Sequence, residues 1–147
     1  SYGSDNIGMG GCGPTSLSMV ATGLTGNTSF TPKYVADMSV NMGYYVDEVG
    51  TDWTLMTAGA SELGINSAQL TNWSEDTLKS ELSAGHPIIC SMKQGDFTTD
   101  GHFIVLTGMA DGKIQVHDPN SKERSSRTWD YATLEPQIEN LWSFTKL

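Results

Sequence analysis

The sequence predicts an α+β domain, and three observations predict it. Through about residue 85 apolar residues recur at helical spacing, and from Pro87 onward short apolar runs bounded by turn residues take over. Between two of those runs, Asp111-Gly112 has the chemistry of a tight hairpin, which makes its flanking strands antiparallel. Helices first and strands second is the order of helices packed on one antiparallel sheet. The 147 residues suffice for a single domain, 1–147, with a sizeable core.

Taken in order, residues 1–11 read as a loop into a first helix at 13–24, which stops near Gly26. Leu17, Val20, Ala21 and Leu24 fall at i, i+3, i+4 and i+7, so one face is apolar. Pro14 suits a first helical turn, where its missing N–H costs nothing. Thr31-Pro32 reads as a cap and first turn of a second helix, whose stripe is Val35, Met38 and Met42, up to Gly43. A third helix from Thr51 or Asp52 turns Trp53, Met56, Ala60 and Leu63 inward and closes at Gly64. Residues 65–70 form a short strand, and Ser74 caps a fourth helix carrying Leu78 and Leu82 to Gly85. Strands follow at 88–92, 102–106 and 113–117. Residues 127–131 and 141–144 add edge strands, with a short helical segment between them.

The net charge is −9, from 17 acidic and 8 basic residues, and no basic cluster stands out. Nucleic acid and anionic membrane surfaces are therefore poor partners. No apolar run approaches the roughly 20 residues of a membrane span. Two cysteines do not make a disulfide scaffold, and no close Cys/His pair has metal-ligand spacing, so no metal site is expected. The acidic, Ser- and Thr-rich composition leans towards a secreted protein. A start at Ser1 without methionine or signal peptide suggests a fragment or processed product.

The organising stretch is Gly10-Gly11-Cys12-Gly13-Pro14-Thr15-Ser16. Cys12 stands at the N-terminal end of the first helix, where free N–H groups and the helix dipole favour a thiolate. Such a thiolate is a candidate nucleophile, although the same place also suits a small buried hydrophobe. His102 opens one strand of the hairpin and Asp118 closes the other, so both lie at the end away from the turn. An imidazole with a carboxylate to fix its tautomer is what a thiol nucleophile needs. Asp118 before Pro119 is also an ordinary turn starter, and Asn120 is the other candidate orienter. Backbone N–H groups at the start of the Cys12 helix, that of Gly13 among them, would meet the oxyanion. Cys90, within an apolar run, reads as core, and Trp53, Trp73, Trp129 and Trp142 read mostly as core aromatics.

Three blocks resemble the signatures of the C39-like, bacteriocin-processing type of papain-fold cysteine peptidases. They are Gly-Cys-Gly-Pro-Thr-Ser at 11–16, Gly-His-Phe-Ile-Val-Leu at 101–106 and His-Asp-Pro-Asn-Ser at 117–121. Their order and the 16-residue step from His102 to Asp118 match that pattern, as do Leu-Thr-Gly at 24–26, Thr-Pro at 31–32 and Gly-Thr-Asp-Trp at 50–53. The resemblance implies a papain-like fold with Cys12 as nucleophile, His102 as general base and acid, and Asp118 as orienter. It implies no cofactor, a peptide or protein substrate, and a monomeric, bacterial, exported or surface-associated protein, often one module of a larger chain. Cell-wall peptide is the alternative substrate, and an inactive peptide-binding domain the alternative of another class. The family's glutamine upstream of the cysteine, an oxyanion donor, is missing from residues 1–11. The favoured explanation puts it before Ser1; Asn6 as its substitute, or weak activity, are the others.

Overall fold

The computed structural model describes residues 12–46, 50–51, 53–97 and 102–147. They form two compact units, one running up to Ser67 with Lys146–Leu147, the other Ala68–Thr145.

In the first unit α1 (Cys12–Thr25) buries Leu17, Val20 and Ala21, with Leu24 half-buried, as the spacing predicts. The Ser18 hydroxyl donates to the Phe30 carbonyl at 2.5 Å, tying the following turn back onto the helix. Helix α2 (Pro32–Asn41) is capped by Thr31, whose Oγ1 accepts the Tyr34 N–H at 3.1 Å. Its stripe is shorter than the sequence suggests. Val35 and Ala36 are fully buried, whereas Met42 is 37% exposed. Met42 is the C-cap, one residue past the end of the helix, where little of the chain is left to cover it.

The expected third helix is split. Trp53–Met56 is a 3₁₀ turn, and α3 (Ala58–Glu62) starts only after Thr57, whose N–H reaches the Thr54 carbonyl at 3.2 Å. A 3₁₀ turn repeats every three residues rather than 3.6, which re-aims its side chains. Leu55 and Met56 are buried, and Trp53, expected inside, is 41% exposed. Asp52 lies outside the described residues. A two-residue ladder that the sequence reading missed pairs β1 (Tyr45–Val46) with β2 (Gly50–Thr51).

The second unit holds most of the six-stranded sheet. Its strands are β3 (Ile65–Leu70), β4 (Ile88–Met92), β5 (His102–Ala110), β6 (Lys113–His117), β7 (Thr128–Trp129) and β8 (Ile138–Lys146). Their order across the sheet is β3-β8-β4-β5-β6-β7. Helix α4 (Glu75–Ser83), capped by Ser74 on the Thr77 N–H, adds Leu78 and Leu82 to a core with Ile88, Cys90, Ile104 and Leu106. At the hairpin Asp111 and Gly112 both have positive φ (53° and 75°), as its two-residue turn requires.

Two strand expectations need correction. Residues 141–144 do not form an edge: β8 runs between β3 and β4, and Leu141, Trp142 and Phe144 are buried. A strand covered on both faces loses the apolar–polar alternation that marks an edge or half-exposed strand. Residues 127–131 shrink to the two residues of β7, because the chain turns at Asp130 into the short helix α6 (Tyr131–Leu134).

Leu78 is fully buried and Ser74 caps an exposed turn. Leu78→Ala is expected to lower unfolding free energy by about 2–5 kcal/mol, and Ser74→Ala by about 1 kcal/mol. Urea denaturation with an unchanged m-value is the check.

Candidate active site

His102 and Asp118, sixteen residues apart in sequence, meet in the second unit. His102 Nε2 lies 2.7 Å from Asp118 Oδ1, with both side chains buried. The register of the hairpin decides this. Val105 pairs with His117 and Leu106 with Val116, but Gly108 pairs with Gln115, so Thr107 is a one-residue bulge. One step beyond the Val105–His117 pair, Asp118 comes level with Ile104, on the face that carries His102 two residues earlier. An unbulged ladder would set Asp118 level with Val105, on the opposite face. Burial agrees: Ile114, Val116 and Asp118 are buried while Lys113, Gln115 and His117 are exposed.

Asp118 is ringed by donors. Oδ1 also accepts the Asn120 N–H at 2.8 Å, and Oδ2 accepts Arg124 Nε–H at 2.6 Å. Its own N–H donates to Ser125 Oγ at 2.8 Å. These groups come from a turn and from the one-turn helix α5 (Lys122–Ser125), capped by Ser121 on the Arg124 N–H. Burial works to raise the Asp118 pKa, but the hydrogen bonds from His102, Arg124 and Asn120 outweigh it and hold the carboxyl below its ordinary value. Asp118 is therefore a carboxylate at neutral pH. An open hollow of about 550 Å³ lies against it, lined by His117, Pro119, Asn120, Ser121, Lys122 and Ser125.

The segment leading from β4 towards His102 is anchored by Gln137. Its Oε1 accepts the Asp96 N–H at 2.7 Å, its Nε2 donates to Asp96 Oδ2 at 2.9 Å, and its carbonyl accepts the Lys93 N–H at 2.7 Å. The Gln137 amide packs directly over Gly95, so a side chain there would have to displace it.

Of the other sequence-predicted site residues, Cys12 is the first residue of α1, half-buried and free, and Gly13 follows it, buried, in the same turn. Both belong to the first unit. Asn6 lies outside the described residues. Asn120, the alternative orienter, gives Asp118 its backbone N–H and is exposed. Cys90 is fully buried, and burial pushes its thiol far above the usual range. Among the described residues no cluster of three His, Cys, Asp or Glu side chains could hold a metal. No described helix is long and apolar enough to cross a membrane. The sequence reading missed Arg124; the Ser121 cap three residues before it was the available signal.

The model of the Peptidase_C39 like family matches residues 3–146. The chain belongs to this family of C39-like peptidases. No protein of curated function matches it significantly. Among solved structures it is similar to the peptidase domain of Streptococcus ComA, a bi-functional ABC transporter involved in quorum sensing. That likeness has a TM-score of 0.70 and 18% identity over 95% of this chain and 93% of that one. A C39-like peptidase from Bacillus anthracis is similar at a TM-score of 0.61 and 16% identity, over 94% and 90% of the two chains. The fold of this C39-like protein is thus the papain-like α+β fold.

Two outcomes follow from the geometry. Inserting one alanine between Val116 and His117 is expected to carry Asp118 level with Phe103, on the face opposite His102. The hydrogen-bonded ring N–H proton of His102, followed by NMR, should then disappear. The second concerns acid. The native Asp118 pKa is depressed, so its contribution to stability is complete above the ordinary carboxylate value of about 3.9. That contribution is lost as pH falls through the lower native value. The stability gap between the parent and Asp118→Asn, measured by urea unfolding, should therefore narrow steadily below about pH 4.

Proposed function

We propose that this C39-like protein is a thiol peptidase working through Cys12, His102 and Asp118. The observation that carries the reading is the buried 2.7 Å contact between His102 Nε2 and the Asp118 carboxylate, in a chain of a peptidase family. With Nε2 engaged by Asp118, proton exchange with a thiol would run through the other ring nitrogen, Nδ1.

In the proposed cycle the Cys12 thiolate attacks the carbonyl carbon of a peptide bond. The negative oxygen of the tetrahedral intermediate is met by N–H groups at the start of α1, that of Gly13 among them. The His102 imidazolium gives its proton to the leaving nitrogen, and a thioester remains on Cys12. Neutral His102 then takes a proton from water, the hydroxide attacks the thioester, and the acid product leaves as the thiolate and imidazolium are restored. Asp118 keeps one ring tautomer throughout. The substrate is a peptide or protein, with cell-wall peptides the alternative class. The reading extends to an exported or surface-bound bacterial protein, in keeping with the acidic, Ser- and Thr-rich composition.

Iodoacetamide alkylation followed against pH tests the catalytic reading. Cys90 is buried and its thiol protonated, so the fast phase reports Cys12. His102→Ala is expected to slow Cys12 alkylation at pH 6–7 about tenfold or more. A slow rate indifferent to His102 would favour a peptide-binding domain without catalysis. Digestion of peptidoglycan against a peptide library then separates the two substrate classes, and Cys12→Ala should abolish either cleavage.

A further inference from the structure

We propose that Arg124 is a positioning residue for the His102–Asp118 pair, fixing the carboxylate's orientation and setting how strongly it holds the imidazolium. The proposal rests on the thiol-peptidase reading for its catalytic meaning. Its physical basis lies in how the two oxygens of Asp118 are used. Oδ1 faces His102 Nε2 and the Asn120 N–H, while Oδ2 is taken by Arg124 Nε–H. Rotating the carboxyl group about its Cβ–Cγ bond would break all of these contacts at once, so Arg124 holds Oδ1 on the ring from behind.

Arg124 is braced for that task. Its N–H is capped by Ser121 Oγ at 3.0 Å, and its carbonyl accepts the Trp129 indole N–H at 3.0 Å. Its guanidinium lies 6.0 Å from the Phe97 ring centre, and Phe97 in turn stacks on Trp129 at 4.6 Å between centroids. Ser125, the next residue of α5, accepts the Asp118 N–H. Two of the four residues of α5, Arg124 and Ser125, thus hold Asp118 by its side chain and its backbone.

The electrostatic consequence is specific. A carboxylate beside a buried imidazole stabilises the imidazolium, and a guanidinium on its far oxygen offsets part of that pull. Arg124 therefore keeps His102 oriented without making it too basic to give its proton to a leaving amine. Among the described residues, His117 and Lys122 are the other charged or titratable groups on the hollow against Asp118. Asp96, Glu123 and Arg127 surround the smaller cavity, about 220 Å³, that Arg124 also lines. All of them remain in place in the variants below.

The test uses the Cys12→Ala protein, with the His102 ring nitrogens followed by NMR against pH, in the parent, R124Q and R124K. R124Q is expected to raise the His102 imidazolium pKa by about one unit, and R124K to leave it close to the parent value. A role in folding alone would not produce that upward, charge-dependent shift. An unmoved or lowered value in R124Q, or the same shift in R124K, overturns the proposal. Loss of the folded state in both variants overturns it too, by assigning Arg124 to the fold rather than to the pair. Since Cys12 is absent, the result is separate from thiol reactivity: alkylation that ignores His102 removes the peptidase reading and leaves this titration standing.

Discussion

A carboxylate with no exposed side-chain surface stands just past the end of β6, and the local chain is arranged to tolerate it. Removing an ionised group from water costs several kcal/mol after relaxation, so a buried carboxylate survives only with charged or hydrogen-bonding partners. Asp118 has an imidazole, a guanidinium and a backbone N–H within 2.8 Å. Each partner has its own support: His102 opens β5, Asn120 lies in the turn after β6, and Arg124 sits on α5 under the Trp129 indole. The hairpin, the turn and the one-turn helix thus serve the same two oxygens.

That dependence gives the Thr107 bulge its meaning. An antiparallel ladder alternates faces with period two, so a single extra residue exchanges the faces of everything beyond it. The bulge lies between the turn, whose register is set by Asp111-Gly112, and the end that carries His102 and Asp118. The hairpin can therefore satisfy its turn and still put both polar side chains on one face. Segment 93–97, held by Gln137, anchors the approach to the same end. The order of the sheet agrees with these demands, since β5 lies inside it and only β7 borders β6 on the outer side.

The parts of the fold that were legible in the sequence are those governed by near neighbours in the chain. The caps at Thr31 and Ser74, the positive-φ turn at Asp111-Gly112 and the apolar face of α1 follow from residue types at fixed offsets. Helix ends and packing partners were less legible. Met42 lies in phase with Val35 and Met38 in sequence, yet the helix stops one residue earlier and leaves it outside. Trp53 is in phase with an α-helix that is a 3₁₀ turn at that point. The interior place of β8 could not be inferred, because strand order is decided by pairings between distant segments.

For the site, the sequence by itself determined the chemical types and their chain order: a thiol at a helix start, an imidazole opening a strand and a carboxylate closing its partner. It also determined that the last two share one end of a hairpin, because turn chemistry is local. The tertiary structure alone decided which face Asp118 takes, through a bulge that no residue type announces. It alone brought Arg124 to the second carboxylate oxygen, turning an unremarked cation into a partner of the buried pair. The physical reason is the same in both cases. Local propensities act over a few residues, whereas the need to satisfy a buried charge is met by whichever donors the folded chain brings within hydrogen-bond reach.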